Sequence, residues 1–320
     1  MKSIPNLAKI QIREFAQDVA MGLNDTPKHL PSKFFYDAIG DQLFQKITQL
    51  DVYYLTRCER ELLTKQQDAL LNLWHDERPL RIIELGPGDG SKTLPLLKRA
   101  EARNMDISYQ PVDISPAILA VLQADFREQL KDTEIEPMAG DYFTAHFPDF
   151  SGRRVWLYMG SNIGNLTDPQ AKDLLANLRD SAQADDLLCI GYDLKKEPAR
   201  ILAAYNDPQG VTRAFNLNLI ERMNRELDAN FDPNHFQHVP IYDPEKAEAR
   251  SYLMSTTDQE VTIGALGLTF MFEAWETILT EISRKFNARQ MAELCGQCGW
   301  KRVRDLRDAA GDYAISLYRA

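Results

Sequence analysis

The stretch from Arg81 to Thr93, RIIELGPGDGSKT, constrains the fold more than any other part of the chain. An apolar run, Arg81–Leu85, ends in Gly86, Gly88 and Gly90, and a helix-compatible stretch, Ser91–Ala100, follows at once. A buried parallel strand passing through a tight glycine turn into a helix is how open α/β sheets build a ligand crevice at the strand's carboxyl end. Glycine suits that turn because it reaches positive φ and lets a ligand approach the backbone closely. The pattern G-x-G-x-G alone fits NAD, FAD or S-adenosylmethionine about equally. A phosphate-binding loop fits less well: there is no G-x-x-x-x-G-K-[ST], and Lys92 follows Ser91 instead of closing such a loop.

Downstream the chain alternates as a doubly wound sheet should. Asp106–Asp113 reads as a second strand ending in an acid, and Ser115 caps a helix from Pro116 to Leu130. Ile135–Ala139 is a third strand, closed by Gly140-Asp141-Tyr142-Phe143. Arg154–Met159 is a fourth, running into Gly160–Asn165, and a helix over Pro169–Ala182 leads to a fifth, Asp186–Asp193. Upstream, amphipathic helices are expected near Gln11–Leu23 and from Glu59 to Trp74. Between them lies an aromatic-rich segment, Pro31–Leu63. A buried tyrosine hydroxyl needs a partner, so the crowded tyrosines Tyr36, Tyr53 and Tyr54 suggest a wall over an active site.

After Asp193 the alternation stops. A helix over Thr212–Leu227 and a polar loop precede strand-like runs at Ala249–Ser255, Gln259–Ile263, Leu268–Phe272 and Ile278–Phe286. The sheet then resumes with a helix over Asn287–Cys298, Trp300–Leu306 and a closing strand, Tyr313–Tyr318. The expected organisation is therefore α/β: a doubly wound domain over 60–193 plus 287–320, and a smaller α+β substrate domain over 1–59 plus 194–286.

Composition bounds the function. With 44% hydrophobic and 26% charged residues, the 320-residue chain has the make-up of a globular protein. A net charge of −10 argues against nucleic acid as partner, because phosphate binding needs a basic face. No run approaches the length of a membrane span, and MKSIPNLAKIQIREF lacks the apolar core and cleavage site of a signal peptide. A cytoplasmic location is expected. Cys295-Gly296-Gln297-Cys298 is a C-x-x-C, but a structural zinc site wants a second ligand pair at similar spacing, and none follows. These read as core cysteines on a helix, and no metal is expected.

Carboxylates at successive strand ends point to the ligand. One at the end of the second strand, Asp113, could accept both hydroxyls of a ribose; one after the third, Asp141, could accept from an adenine amino group. Lys92 could pair with a methionine carboxylate. With Glu84 two positions before Gly86, the turn resembles the first motif of class I S-adenosylmethionine-dependent methyltransferases. Their final helix and paired hairpin match the end of this chain as well.

A longer resemblance covers nearly the whole sequence. FFYD-x-x-G-x-x-LF-x-x-IT-x-L-x-x-YY-x-TR-x-E, from Phe34 through Glu59, resembles the N-terminal signature of the histidine Nα-methyltransferase family of ergothioneine biosynthesis. The family's G-S-x-I-G-N stands at Gly160–Asn165, its A-Y-x-D at Ala204–Asp207 and its E-x-S-x-KF at Glu281–Phe286. The resemblance implies S-adenosyl-L-methionine contacts at Gly86, Lys92, Asp113, Asp141 and Tyr142. It implies contacts from Tyr53, Asn165 and Tyr205 to an amino-acid backbone, and from Glu281 and Ser283 to an imidazole. Tyr36 would orient the amine. Asn162 and Ser251 depart from the family pattern, which often has threonine and methionine there. The implied reaction converts L-histidine to its Nα-trimethyl betaine; another aromatic amino acid such as tryptophan, or an inactive homologue that only binds both ligands, are the alternatives. The partner is a small molecule, and a monomer is expected.

Overall fold

The computed structural model describes the backbone from residue 4 and side chains from residue 12 to the C-terminus. The chain divides into two compact units: residues up to Tyr54 with Lys196–Ser283, and Leu55–Lys195 with Arg284–Ala320.

In chain order, the first unit begins with α1 (Ile4–Asn24), a 3-10 turn over Ser32–Phe35 and α2 (Ala38–Thr48). Then come α3 (Tyr54–Lys65), α4 (Gln67–Trp74), β1 (Leu80–Leu85), α5 (Leu94–Glu101), β2 (Ile107–Asp113) and α6 (Pro116–Gln129). They are followed by β3 (Glu134–Ile135), β4 (Met138–Ala139), β5 (Arg153–Tyr158), α7 (Asp168–Ser181) and β6 (Leu187–Asp193). The first unit resumes with α8 (Pro198–Tyr205), α9 (Val211–Leu227), β7 (Phe236–Asp243), β8 (Glu248–Ser255), β9 (Gln259–Ile263), β10 (Leu268–Phe272) and β11 (Thr277–Arg284). The second closes with α10 (Ala288–Gln297), β12 (Lys301–Arg307) and β13 (Tyr313–Arg319).

The second unit is built on one sheet in the order β12-β13-β6-β5-β1-β2-β3, with β4 also beside β2. Strands β1 to β6 pair in parallel, while β13 runs antiparallel to both β6 and β12. Every residue of β6 is buried, and so is all of β5 after Arg153. That is why these strands read as continuous apolar runs: a parallel sheet is covered on both faces. Ile83, Leu85, Trp156, Tyr158, Leu188, Ile190 and Tyr192 share one core with the apolar side of α7 and with Met291, Leu294 and Cys295 of α10. Because β1 has β2 on one side and β5 on the other, the strand order reverses at β1, and the crevice opens at its carboxyl end.

The first unit has its own core, in which Phe15, Val19 and Leu23 of α1 pack with Phe34, Phe35, Phe215, Leu219, Leu253 and Ile278. Its strands form a three-stranded sheet, β11-β8-β7, and a two-stranded one, β10-β9.

Several elements differ from the sequence reading. The single helix expected from Glu59 to Trp74 is two, broken at Gln66, whose φ of −105° and ψ of 10° are not helical. The helix after the glycine turn starts at Leu94, not Ser91, so Lys92 sits in a turn ahead of it. The third strand is two short pieces, β3 and β4. Helix α8 and strand β7 fall where only irregular chain was expected. β7 contains Pro240, which argues against a central strand; it is the edge of its sheet, where a missing N–H can be tolerated. The unit junctions also differ from the expected 59, 193 and 286. Glu59 is buried among side chains of the second unit, and Lys285 is ion-paired there with Asp193 at 3.0 Å, both completely buried.

Candidate active site

The second unit brings the residues expected to contact a cofactor to the surroundings of the carboxyl end of β1. Gly86 and Gly88 have φ of +65° and +59°, the left-handed region that only glycine enters at little cost. A Cβ on Gly88 would meet nothing within 4 Å, and one on Gly86 would come no closer than 3.7 Å to the Asn162 amide. The backbone there is open to a ligand. Gly90 has another reason to be glycine: a Cβ would lie 2.5 Å from the Phe126 ring.

Glu84, which marks the motif in sequence, turns inward. It is buried and accepts from the Thr93 hydroxyl (2.9 Å) and the Tyr109 hydroxyl (2.5 Å), tying the end of the turn to β1 and β2. Burial, outweighing those two hydrogen bonds, pushes its carboxyl up to about 7.

Asp113, the last residue of β2, accepts from the Ser115 N–H at 2.9 Å; its carboxyl is raised by burial, against the backbone hydrogen bonds. Asp141 is exposed in the turn after β4 and accepts from the Phe143 N–H at 2.9 Å. Tyr142 stacks on Phe143 with centroids 5.2 Å apart and meets Tyr158 edge-on. A Cβ on Gly86 would lie 3.9 Å from the Tyr142 ring, so this tyrosine flanks the glycine turn.

The loop after β5 is held at its start. Gly160 (φ +74°) and Ser161 (φ +60°) are left-handed; the Gly160 N–H donates to Glu59 Oε1 at 2.7 Å, and the Ser161 hydroxyl accepts from the Asp193 N–H at 3.0 Å. Asn162–Asn165 then forms a 3-10 turn with Asn165 half-buried at its end. Asn162, one of the two departures from the family pattern, has its amide beside Gly86. Lys92 donates to Glu59 Oε2. Burial works against the ammonium, but the surrounding carboxylates, Glu59 foremost, outweigh it and the Lys92 pKa is raised.

The first unit carries the other set of side chains. The hydroxyl of Tyr205, at the end of α8, donates to Ser283 Oγ of β11 at 2.7 Å, both residues being buried. Glu281, two residues earlier on β11, accepts from the buried Ser251 hydroxyl of β8 at 3.4 Å. Ser251, the other departure, is therefore a partner of the carboxylate expected to read the substrate ring. Tyr36 and Tyr53 both lie edge-on to Phe44, at 5.5 and 6.3 Å. Tyr36 is 43% exposed. Tyr54 stands apart from this cluster: it is buried, with Lys196 against its ring and bonded to its hydroxyl at 2.9 Å. Of the three tyrosines of the expected wall, Tyr54 is thus engaged in holding Lys196.

The sequence reading did not single out the buried cluster of Glu59 and Tyr313, whose hydroxyl donates to Glu59 Oε1 at 2.6 Å. A signal was present in Gly191, a glycine inside an otherwise apolar strand: a Cβ there would lie 2.5 Å from Glu59 Oε1.

An open glycine turn at the strand-order reversal, with carboxylates at the next two strand ends, suits the uncharged adenosine, the ribose and the amino-acid tail of S-adenosylmethionine. Fold and site define a class I S-adenosylmethionine-dependent methyltransferase. The chain matches the model of the family described as histidine-specific methyltransferase, SAM-dependent, over residues 15–320, and it belongs to that family. It is 37% identical to a histidine N-alpha-methyltransferase of Mycobacterium tuberculosis, over 94% of this chain and 93% of that one. A protein of the same name from Mycolicibacterium smegmatis is 36% identical over the same shares of the two chains. Ergothioneine biosynthesis protein 1 of Schizosaccharomyces pombe is 27% identical over 98% of this chain, which spans 41% of that longer protein. Among the described residues no helix is long and apolar enough to cross a membrane.

Proposed function

We propose that the protein transfers methyl groups from S-adenosyl-L-methionine to the α-amino group of L-histidine, three times in succession, giving the Nα-trimethyl betaine. The observation that carries the substrate assignment is on β11. Glu281 offers a carboxylate and Ser283 a hydroxyl, two residues apart, and a buried donor holds each: Ser251 on the first, Tyr205 on the second. A carboxylate acceptor with a hydroxyl beside it matches the two nitrogens of an imidazole, which in the neutral ring are one donor and one acceptor.

When bound, the cofactor supplies an activated methyl group on a sulfonium, and the protein's task is to hold, orient and exclude water. Gly86 lets the cofactor lie against the backbone. Asp113 accepts from the ribose hydroxyls, Asp141 and Tyr142 frame the adenine, and Lys92 faces the methionine carboxylate. Asn165 of the second unit, with an amide that both donates and accepts, is assigned to the α-amino and α-carboxylate groups; in the first unit, Tyr53 and Tyr205 are assigned to the amino-acid backbone. Tyr36 orients the amine. That amine attacks through its lone pair, so it loses a proton before each transfer, and each transfer breaks one methyl–sulfur bond as the new C–N bond forms.

The experiment is mass spectrometry of all twenty amino acids incubated together with the enzyme and methyl-labelled cofactor. Label in histidine, up to three methyls, is expected. Label in tryptophan instead would replace the substrate, and no labelled amino acid at all would leave a binding protein.

A further inference from the structure

Glu59 is a buried carboxylate outside the cofactor and substrate contacts assigned to the site. It lies on α3, is 1% exposed, and collects three donors: the Lys92 ammonium on Oε2, and the Gly160 N–H (2.7 Å) and the Tyr313 hydroxyl (2.6 Å) on Oε1. The three come from the turn ahead of α5, the loop after β5, and β13. A space is kept for it in β6, where any side chain in place of Gly191 would strike Glu59 Oε1 and the Tyr313 hydroxyl, at 2.5 and 2.8 Å from a Cβ. Burying a charge this deeply is costly unless it is paired and fully hydrogen-bonded, as this one is. Tyr313 and Gly160 would satisfy a neutral amide's oxygen equally well; only Lys92 requires the negative charge.

We infer that Glu59 is a positioning residue for the cofactor: it pairs with the Lys92 ammonium and holds it aimed at the methionine carboxylate, while the same side chain anchors Gly160 at the head of the loop that carries Asn165. The inference rests on the assignment of Lys92 to the cofactor made above. The groups acting on Lys92 are Glu59, Glu84 and Asp89, all acidic, and of these Glu59 acts most strongly and is the one hydrogen-bonded to it. Burial opposes the charge, so once Glu59 is neutralised, Lys92 gives up its proton at a lower pH.

Glu59→Gln keeps an oxygen for Gly160 and Tyr313 and removes only the charge. The probe is S-adenosylhomocysteine, which has the same amino-acid tail and no methyl to transfer, titrated by calorimetry at several pH values from about 7 to 9. The variant's Kd is expected to exceed that of the wild type at least about threefold, and the ratio of the two to grow, not shrink, toward higher pH. Taking the ratio cancels titration of the probe itself. In a Lys92→Met background, Glu59→Gln is expected to change Kd by less than about twofold at any pH. No loss of affinity in the variant, a ratio that shrinks as pH rises, or an equal loss in both backgrounds overturns the inference and leaves Glu59 a packing residue. Lys92→Met alone tests the underlying assignment: wild-type affinity in that variant removes Lys92 from the cofactor, whatever Glu59 does. Should Glu59→Gln not fold, Glu59→Asp enters the same cycle. Its carboxylate is drawn back by one methylene, so a several-fold weaker Kd that vanishes in the Lys92→Met background is expected, and an equal loss in both overturns the inference.

Discussion

Glu84 and Glu281 are both glutamates on strands, and their surroundings give them opposite tasks. Glu84 is enclosed, and its carboxyl keeps its proton up to about 7 where the ordinary value is 4.5. The folded protein therefore binds a proton that the unfolded chain has released between those two values. Stability falls as pH rises across that window, by up to about 1.4 kcal/mol per pH unit, and levels off above it. Glu84→Gln should remove this slope, so denaturant midpoints for wild type and variant should converge near pH 5 and separate by pH 8, with the variant the more stable. Parallel curves at both pH values would mean that Glu84 stays ionised in the fold. Glu281 is only half-buried, with the Ser251 hydroxyl on one oxygen. Replacing it with valine leaves an imidazole N–H without its acceptor, which costs roughly 1–3 kcal/mol, or about five- to a hundred-fold in kcat/KM for histidine. Tryptophan and tyrosine have no second ring nitrogen and should lose less. Steady-state kinetics with the three amino acids on both proteins checks this; an equal fall for all three would make Glu281 structural.

At the scale of elements, two of the three glycines in the turn between β1 and α5, Gly88 and Gly90, look alike in sequence and differ in what they face. Gly90→Ala puts a methyl into the Phe126 ring at a φ of +67°, so overpacking and backbone strain together should cost about 2–4 kcal/mol. Gly88→Ala has open space and only the strain, about 1–2 kcal/mol, but its methyl stands on the side left open to a ligand. Thermal melts should show the larger loss for Gly90→Ala, and calorimetry the larger loss of cofactor affinity per unit of stability for Gly88→Ala. The reverse order would place the cofactor elsewhere. Elements with strong local grammar were legible from sequence: α7 and α10 both begin with a capping box and α6 with a serine cap. α8 has similar grammar, Glu197 capping Arg200 with Pro198 at the first position, yet it is eight residues long in an irregular stretch. A short helix of this kind is stabilised by packing more than by its own sequence.

For the whole molecule, the relevant fact is that each unit has its own hydrophobic core, one around Trp156, Tyr158 and Tyr192, the other around Phe215, Leu219 and Leu253. Tyr205 belongs to the first unit, while the glycine turn, Lys92, Asp113 and Asp141 all belong to the second. Tyr205→Phe removes a hydroxyl bonded to Ser283, a loss of about 1 kcal/mol, or roughly fivefold in amino-acid affinity. Cofactor Kd should stay within about twofold. Titrating each ligand into the variant by calorimetry decides it: equal weakening of both would make Tyr205 part of a single cooperative site.

What the sequence determined by itself was the order of the sheet-forming segments, the glycine turn and the acids at successive strand ends. Those features are local: a doubly covered strand must be apolar along its length, a left-handed turn favours glycine, and a ligand at a strand's carboxyl end meets whichever residue comes next. Motifs from Phe34 to Glu59, at Gly160–Asn165 and at Glu281–Phe286 carried the family. Tertiary structure decided how side chains were paired. Glu59 meets Gly160 across 101 positions and Tyr313 across 254, and Ser251 meets Glu281 across 30. Burial likewise decided that Glu84 faces the interior and holds its proton. Such pairings depend on which strands and helices come to lie side by side, and no spacing within one segment encodes them.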